Sequence, residues 1–112
     1  MFTYNCTVYR GTEFSEKFAW TENDVAVDLT GWQAKAQLKS SALNMTYTLS
    51  SDNGEITLDN QGGITLTLTE DETATMLPGS YSWDLLLKNA HGTILPPLVS
   101  GTVTVLQGVT TW

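Results

Sequence analysis

The stretch TEDETATMLPGSYSWDLLL, from Thr69 to Leu87, decides how the rest of the chain reads. Thr69 and Glu72 have the Ser/Thr-x-x-Glu spacing of a capping box, in which each side chain accepts a backbone N–H from the other residue at a helix start. Glu70, Asp71 and Glu72 complement the dipole of that first turn. The spacing predicts one short helical turn near residues 70–76, with Ala74, Met76 and Leu77 folding inward. Pro78-Gly79 predicts a type II turn, since Pro presets φ and Gly accepts the positive φ that follows. Tyr81, Trp83, Leu85 and Leu87 then fall on one face, at the period of a strand. Leu86 adds an apolar residue to the other face and predicts a central strand covered on both sides. The stretch reads as a crossover, in which a capped turn bridges two strands.

Working outward, most of the chain alternates in the same way. Trp32, Ala34, Ala36 and Leu38 point one way while Gln33, Lys35, Gln37 and Lys39 point the other, as one-sided antiparallel sheets require. The small alanines call for a bulky neighbour, and Trp83 is the candidate. Toward the N-terminus, Phe2, Tyr4, Cys6 and Val8 share a face of a first strand. Phe14, Glu16, Phe18 and Trp20 share a face of a second, where the inward Glu16 suits a sheet edge. Thr21 to Asp24 reads as a turn and Val25, Val27 and Leu29 as a short strand. Met45, Tyr47 and Leu49 alternate ahead of Asp52-Asn53-Gly54-Glu55. Asn-Gly between alternating runs is a strong hairpin signal, so Ile56 and Leu58 are expected to pair back on Tyr47 and Leu49. Ile64, Leu66 and Leu68 form a further inward face after the Gly-rich loop of residues 59–63. Asn89 to Gly92 closes a hairpin. Pro96 and Pro97 cannot donate to a ladder, which puts them at an edge, bulge or bend. The last strand runs from Leu98 to Leu106. Short strands with regular turn signals, and one helical turn, predict an all-β fold: an antiparallel Greek-key β-sandwich of immunoglobulin-like topology. A small jelly roll or partly open barrel is the alternative.

A chain of 112 residues is read as a single β-sandwich domain spanning 1–112. Its net charge of −7 and five basic residues argue against nucleic acid, whose phosphates need clustered Lys and Arg. No apolar run approaches the roughly 20 residues that span a bilayer, and the N-terminus lacks a signal-peptide pattern. The expectation is a soluble protein made in a cytoplasm, with no membrane partner. Cys6 is the single cysteine, so no internal disulfide forms, and it reads as a small hydrophobe in the first strand.

No catalytic motif emerges, and no cofactor or metal is expected. His91 lies alone in a turn, whereas general-base work needs an oriented partner. Asp52, Glu55 and Asp59 sit in neighbouring loops without the spacing of a Ca²⁺ loop. Glu70, Asp71 and Glu72 read as caps rather than a glycosidase pair. Among the tryptophans, Trp32 and Trp83 belong to core faces. Trp20 ends a strand and Trp112 ends the sequence, and aromatics so placed anchor interfaces. The candidate partner-interface residues are therefore Trp112, Trp20, Pro96 and Pro97; a sugar-binding module would instead expose an aromatic row of Trp20 with Tyr9. The Ile94–Leu98 segment and the N-terminal strand are the expected sheet edges.

The order of these signals resembles a known group. Asp28-Leu29-Thr30-Gly31-Trp32 leads into the strand to Lys39. The run Ile64 to Thr69, the helical turn, Leu77-Pro78-Gly79-Ser80-Tyr81-Ser82-Trp83-Asp84-Leu85, a Gly-bearing hairpin and Gly101-Thr102-Val103-Thr104-Val105 follow. From about Asp28 onward this is similar to small β-sandwich structural proteins of tailed bacteriophages. It also resembles the immunoglobulin-like N-terminal domain of phage baseplate upper proteins. The resemblance implies a non-enzymatic virion protein, made in the host cytoplasm and assembled in many copies or as a homo-oligomer. Its partners would be the major capsid protein or tail and baseplate subunits. Capsid decoration, clamping neighbouring coat subunits, is the first expectation; a tail or baseplate adaptor is the second, and a carbohydrate- or receptor-binding module the third. The group brings no catalytic residues with it.

Overall fold

The computed structural model describes residues 2–108. In chain order its elements are β1 (Phe2–Thr3), β2 (Cys6–Tyr9), β3 (Phe14–Ala19), β4 (Thr21–Glu22), β5 (Val25–Ala26), β6 (Gln33–Ser40), β7 (Met45–Ser50), a 3₁₀ turn (Ser51–Asn53), β8 (Ile56–Leu58), β9 (Gly63–Leu68), α1 (Glu70–Ala74), β10 (Gly79–Lys88) and β11 (Val99–Leu106). A six-stranded sheet has the order β1-β11-β10-β6-β7, with β2 also on β11; it faces a three-stranded sheet of order β3-β9-β8. β4 and β5 form a small separate ribbon, so Val25 is exposed rather than part of a core strand, while Leu29 is buried. Every pairing is antiparallel except those of β1 and β2 with β11. This is an all-β Greek-key sandwich of immunoglobulin-like topology.

Between the sheets lie the inward residues that alternation picks out. Ile64, Leu66 and Leu68 of β9 face Tyr81, Trp83, Leu85 and Leu87 of β10 and Ala34, Ala36 and Leu38 of β6, all buried. Burying each large one contributes about 1.5–3 kcal/mol. Trp83 stands opposite Leu38, and Leu85 and Leu87 rather than Trp83 stand opposite Ala36 and Ala34; the Trp83 ring centroid is 6.1 Å from that of Phe18 on β3. Tyr81, two residues earlier, donates its hydroxyl to the Leu77 carbonyl at 2.6 Å. In antibody domains a corner tyrosine stands two residues before the second cysteine of the inter-sheet disulfide. Here Trp83 holds that place and Phe18 packs across from it, so an aromatic pair joins the sheets where a disulfide would.

The first strand is broken where one continuous strand was expected. β1 and β2 keep one register on β11, Phe2 opposite Val99 and Cys6 opposite Val103. Between them Asn5 turns its side chain to accept the Thr102 N–H at 2.9 Å. The Tyr4 carbonyl turns in to accept the Trp83 indole N–H at 2.9 Å. That carbonyl sits so close over Gly101 that any Cβ there would collide with it.

Three further expectations change. Asn53-Gly54 is not a hairpin. Ser50 caps a 3₁₀ turn by accepting the Asp52 N–H at 3.0 Å, and Gly54 leaves it at φ 84°. The chain thereby crosses to the other sheet, where Ile56 and Leu58 pair with Leu66 and Ile64; Tyr47 and Leu49 pair instead with Leu38 and Ala36. Pro78-Gly79 is not a type II turn: Gly79 has φ 152° and opens β10, far from the roughly +80° such a turn requires. Within α1 the inward residue is Thr73, while Ala74 and Leu77 are exposed and Met76 is buried. The capping box sets the helical phase, and Thr73 fixes it by donating its hydroxyl to the Thr12 carbonyl at 2.7 Å and accepting the Thr12 N–H at 3.1 Å. β10 is central, as expected, but Leu86 on its outer face is only half-buried.

Candidate interaction surfaces

The capping box forms as its spacing implies: Glu72 accepts the Thr69 N–H at 2.9 Å and Thr69 accepts the Glu72 N–H at 3.2 Å. At the other end of α1, Arg10 donates to the Ala74 carbonyl at 2.8 Å, a cation placed at the negative end of the helix dipole. The residues after α1 are held by two tyrosines. Leu77 donates its N–H to the Tyr47 hydroxyl at 3.0 Å and accepts from Tyr81 through its carbonyl. The two rings lie 5.6 Å apart. Tyr47 belongs to β7, so the corner also fixes that strand.

Most other polar side chains that drew attention have backbone partners. Asp59 accepts the N–H groups of Gln61 at 2.8 Å and Gly63 at 2.7 Å, closing the β8–β9 hairpin. These bonds to the charged form hold its carboxyl below the usual range. Asn89 does the same for His91 and Thr93 at the hairpin that follows β10. His91 is exposed there, in a hairpin with no acidic residue. Cys6 is half-buried, and burial followed by the nearby Glu16 pushes its thiol up to about 11, which keeps it protonated and a poor nucleophile. Glu16 itself meets the Tyr4 hydroxyl at the rim between the sheets. These residues border an apolar cavity of about 20 Å³ under Trp83, room for about one water. Among the described residues no three His, Cys, Asp or Glu side chains are grouped to hold a metal.

Glu55 and Glu72 are brought together by the fold, one from the β7–β8 crossing and one from α1. Burial first, and the Glu72 carboxylate second, push Glu55 up to about 7. Glu72 is held down by its bond with Glu55 and by the Thr69 N–H.

The candidate interface residues are only partly assembled. Trp20 is half-buried and packs edge-to-face on Trp32, centroids 5.7 Å apart. Tyr9, 50% exposed, closes β2 just before the turn into β3. Trp20 follows the far end of β3, so the two do not form an aromatic row. Pro96 is exposed and Pro97 half-buried. They form a bulge: Leu95 and Leu98 donate their N–H groups to Leu87 and Leu85, so an extra residue loops out where neither proline could donate. Trp112 lies outside the described residues. Sequence reasoning missed two surfaces. The outer face of the large sheet carries Lys35, Lys39 and Lys88 against the single Asp84, in a chain otherwise dominated by acids. The outermost strand β7 also has one side unpaired among the described residues.

No family model matches the chain, and no curated protein matches it. Among solved structures, it is similar to the extracellular domain of the voltage-gated sodium channel beta4 subunit, described as a parallel homodimer that explains a role in cell-cell adhesion. That likeness has 11% identity, covers 97% of this chain and 89% of that one, and has a TM-score of 0.45. It is also similar to murine CRIg, with 9% identity, 92% of each chain covered and a TM-score of 0.44.

Proposed function

We propose that this chain is a non-enzymatic structural protein of a tailed-phage virion, a capsid decoration protein that binds neighbouring coat subunits and holds them together. The observation that carries this reading is what its polar side chains do. The acids and amides of Thr69–Glu72, Asp59 and Asn89 close turns and cap α1, which leaves docking as the work of exposed strand edges and sheet faces. The resemblance of Asp28-Leu29-Thr30-Gly31 and Pro78-Gly79-Ser80-Tyr81-Ser82-Trp83-Asp84 to phage sandwich proteins directs that docking to a virion. A body of 43 × 28 × 25 Å suits addition in many copies to a much larger surface. A tail or baseplate adaptor shares the same motifs. The sugar-binding reading is less favoured, because Tyr9 and Trp20 stand apart.

Heads and tails assembled without the protein provide the test. Purified chain is mixed with each and sedimented. Saturable binding to heads, with a higher temperature of shell disassembly, is the expected result. Binding to tails alone would assign the adaptor role. Binding to neither, together with glycan-array binding lost in Trp20→Ala, would replace the virion reading with a sugar-binding one.

A further inference from the structure

Sheet edges are templates for unwanted pairing, and folded proteins blunt them. Among the described residues, three of the four edges of the two facing sheets carry such a device. The β1–β2 edge is short and broken at Tyr4–Asn5, β3 has an inward Glu16 and an outward Lys17, and β8 is only three residues long. β7 has none. Its six residues, Met45–Ser50, include no charge and no proline, and they pair in unbroken register with β6. The edge is also tied to the crossing after α1, since Tyr47 accepts the Leu77 N–H at 3.0 Å.

The two sides of this edge differ in charge. Toward the core, Tyr47, Leu49, Leu68 and Met76 line a groove of about 320 Å³ bordered by Glu55, Asp71 and Glu72. Toward the outer face, the neighbouring strand presents Lys35 and Lys39. Side chains of an added strand would alternate between these two environments. Those over the groove would meet an apolar floor and, at its rim, the carboxylates of Asp71 and Glu72, which suits the long stem and cationic head of Lys or Arg. A second copy of this chain fits poorly: its β7 has no basic residue, and its own Asp71 and Glu72 would face the same acids.

We propose that β7 is a docking edge that takes an extended segment of a partner protein as an added strand, with Lys or Arg at alternate positions turned to the acidic groove. This rests on the virion reading only for who supplies the segment; the chemistry of recognition belongs to the edge itself.

The test is an NMR titration of the ¹⁵N-labelled full chain with capped six-residue peptides that alternate Thr with Lys, Ser or Glu. Shifts confined to Met45–Ser50 and the groove are expected, with the Lys peptide binding roughly three- to tenfold more tightly than the Ser peptide, the range a few exposed ion pairs supply, and the Glu peptide weakest. The variant Asp71→Asn should lower the preference for Lys and keep the neutral binding. Equal response to Lys and Glu peptides, shifts elsewhere only, or none at millimolar peptide would overturn the proposal. Shifts at β7 that grow with protein concentration alone would assign the edge to a second copy instead. Because no virion component is present, the outcome is independent of whether heads bind the protein. Head binding with β7 amides left unprotected would sink the edge and spare the virion reading.

Discussion

Two of the four passages of the described chain between its sheets look alike in sequence and differ in what holds them. Residues 69–79 cross from β9 to β10, and residues 50–55 cross from β7 to β8. Each begins with a hydroxyl residue capping a short helical turn, Thr69 in one and Ser50 in the other. The first is then tied to the rest of the molecule: Thr73 to Thr12, Arg10 to Ala74, Leu77 to Tyr47 and Tyr81, and Met76 into the core. The 3₁₀ turn of the second buries no residue. Its own cap bonds are local, Ser50 to Asp52 and Asn53 to Glu55, and its ties outward are fewer: Ser51 accepts the Ala34 N–H at 3.0 Å and the Glu55 carbonyl accepts the Thr67 N–H at 2.8 Å. A shared capping code thus marks where a turn starts, and tertiary bonds decide how much stability depends on it. The crossings meet through Glu55 and Glu72.

Substitutions should separate the two passages. The largest effect is expected from Met76→Ala, which empties a buried site and should cost about 2–5 kcal/mol in denaturant unfolding. Tyr81→Phe keeps the ring but leaves the Leu77 carbonyl without its donor, an expected loss of about 1–3 kcal/mol. Tyr81→Phe measuring no more than Ser50→Ala would erase the distinction. Cap removal is smaller. Thr69→Ala should cost about 1 kcal/mol, within the usual range for caps. Ser50→Ala should cost less, because its turn carries no buried residue.

The smallest effect is a pH dependence where the crossings touch. Glu55 is raised to about 7, above its unfolded value, so the folded protein holds this proton more tightly. Its contribution is present below the unfolded carboxylate range and is lost as pH rises toward about 7. Glu72 is lowered, so its contribution is present above the unfolded carboxylate range and lost as pH falls below it. Thermal unfolding followed from pH 5 to 8 should show stability declining along this interval, with the decline flattened in Glu55→Gln. An unchanged slope in that variant would remove the pair from the account.

Much of the fold was legible because burial on one side of a strand writes period two into the sequence. The inward faces of β6, β9 and β10 were read residue by residue, as was the capping box. Asn53-Gly54 misled because an αL glycine after a capped turn serves a hairpin and a sheet crossing equally well. Only the partner of Ile56, a residue of β9, distinguishes them. Apolar character points to Ala74 as the inward residue and passes over Thr73, whose buried hydroxyl bonds across 61 positions to Thr12. The docking edge was invisible for a related reason. The run Met45–Ser50 reads as any half-buried strand until the sheet order places nothing described beyond it.

The tyrosine-held corner makes β7 a firmly held edge, while the amides of Asp52 and Glu55 in the neighbouring crossing rest only on the side chains of Ser50 and Asn53. Native-state amide hydrogen exchange tests this contrast most directly. The amides of Met76 and Leu77, and those β7 amides bonded to β6, should exchange only with global unfolding, while those of Asp52 and Glu55 exchange earlier by local opening. Exchange of β7 together with Asp52 and Glu55, ahead of the corner, would contradict the account.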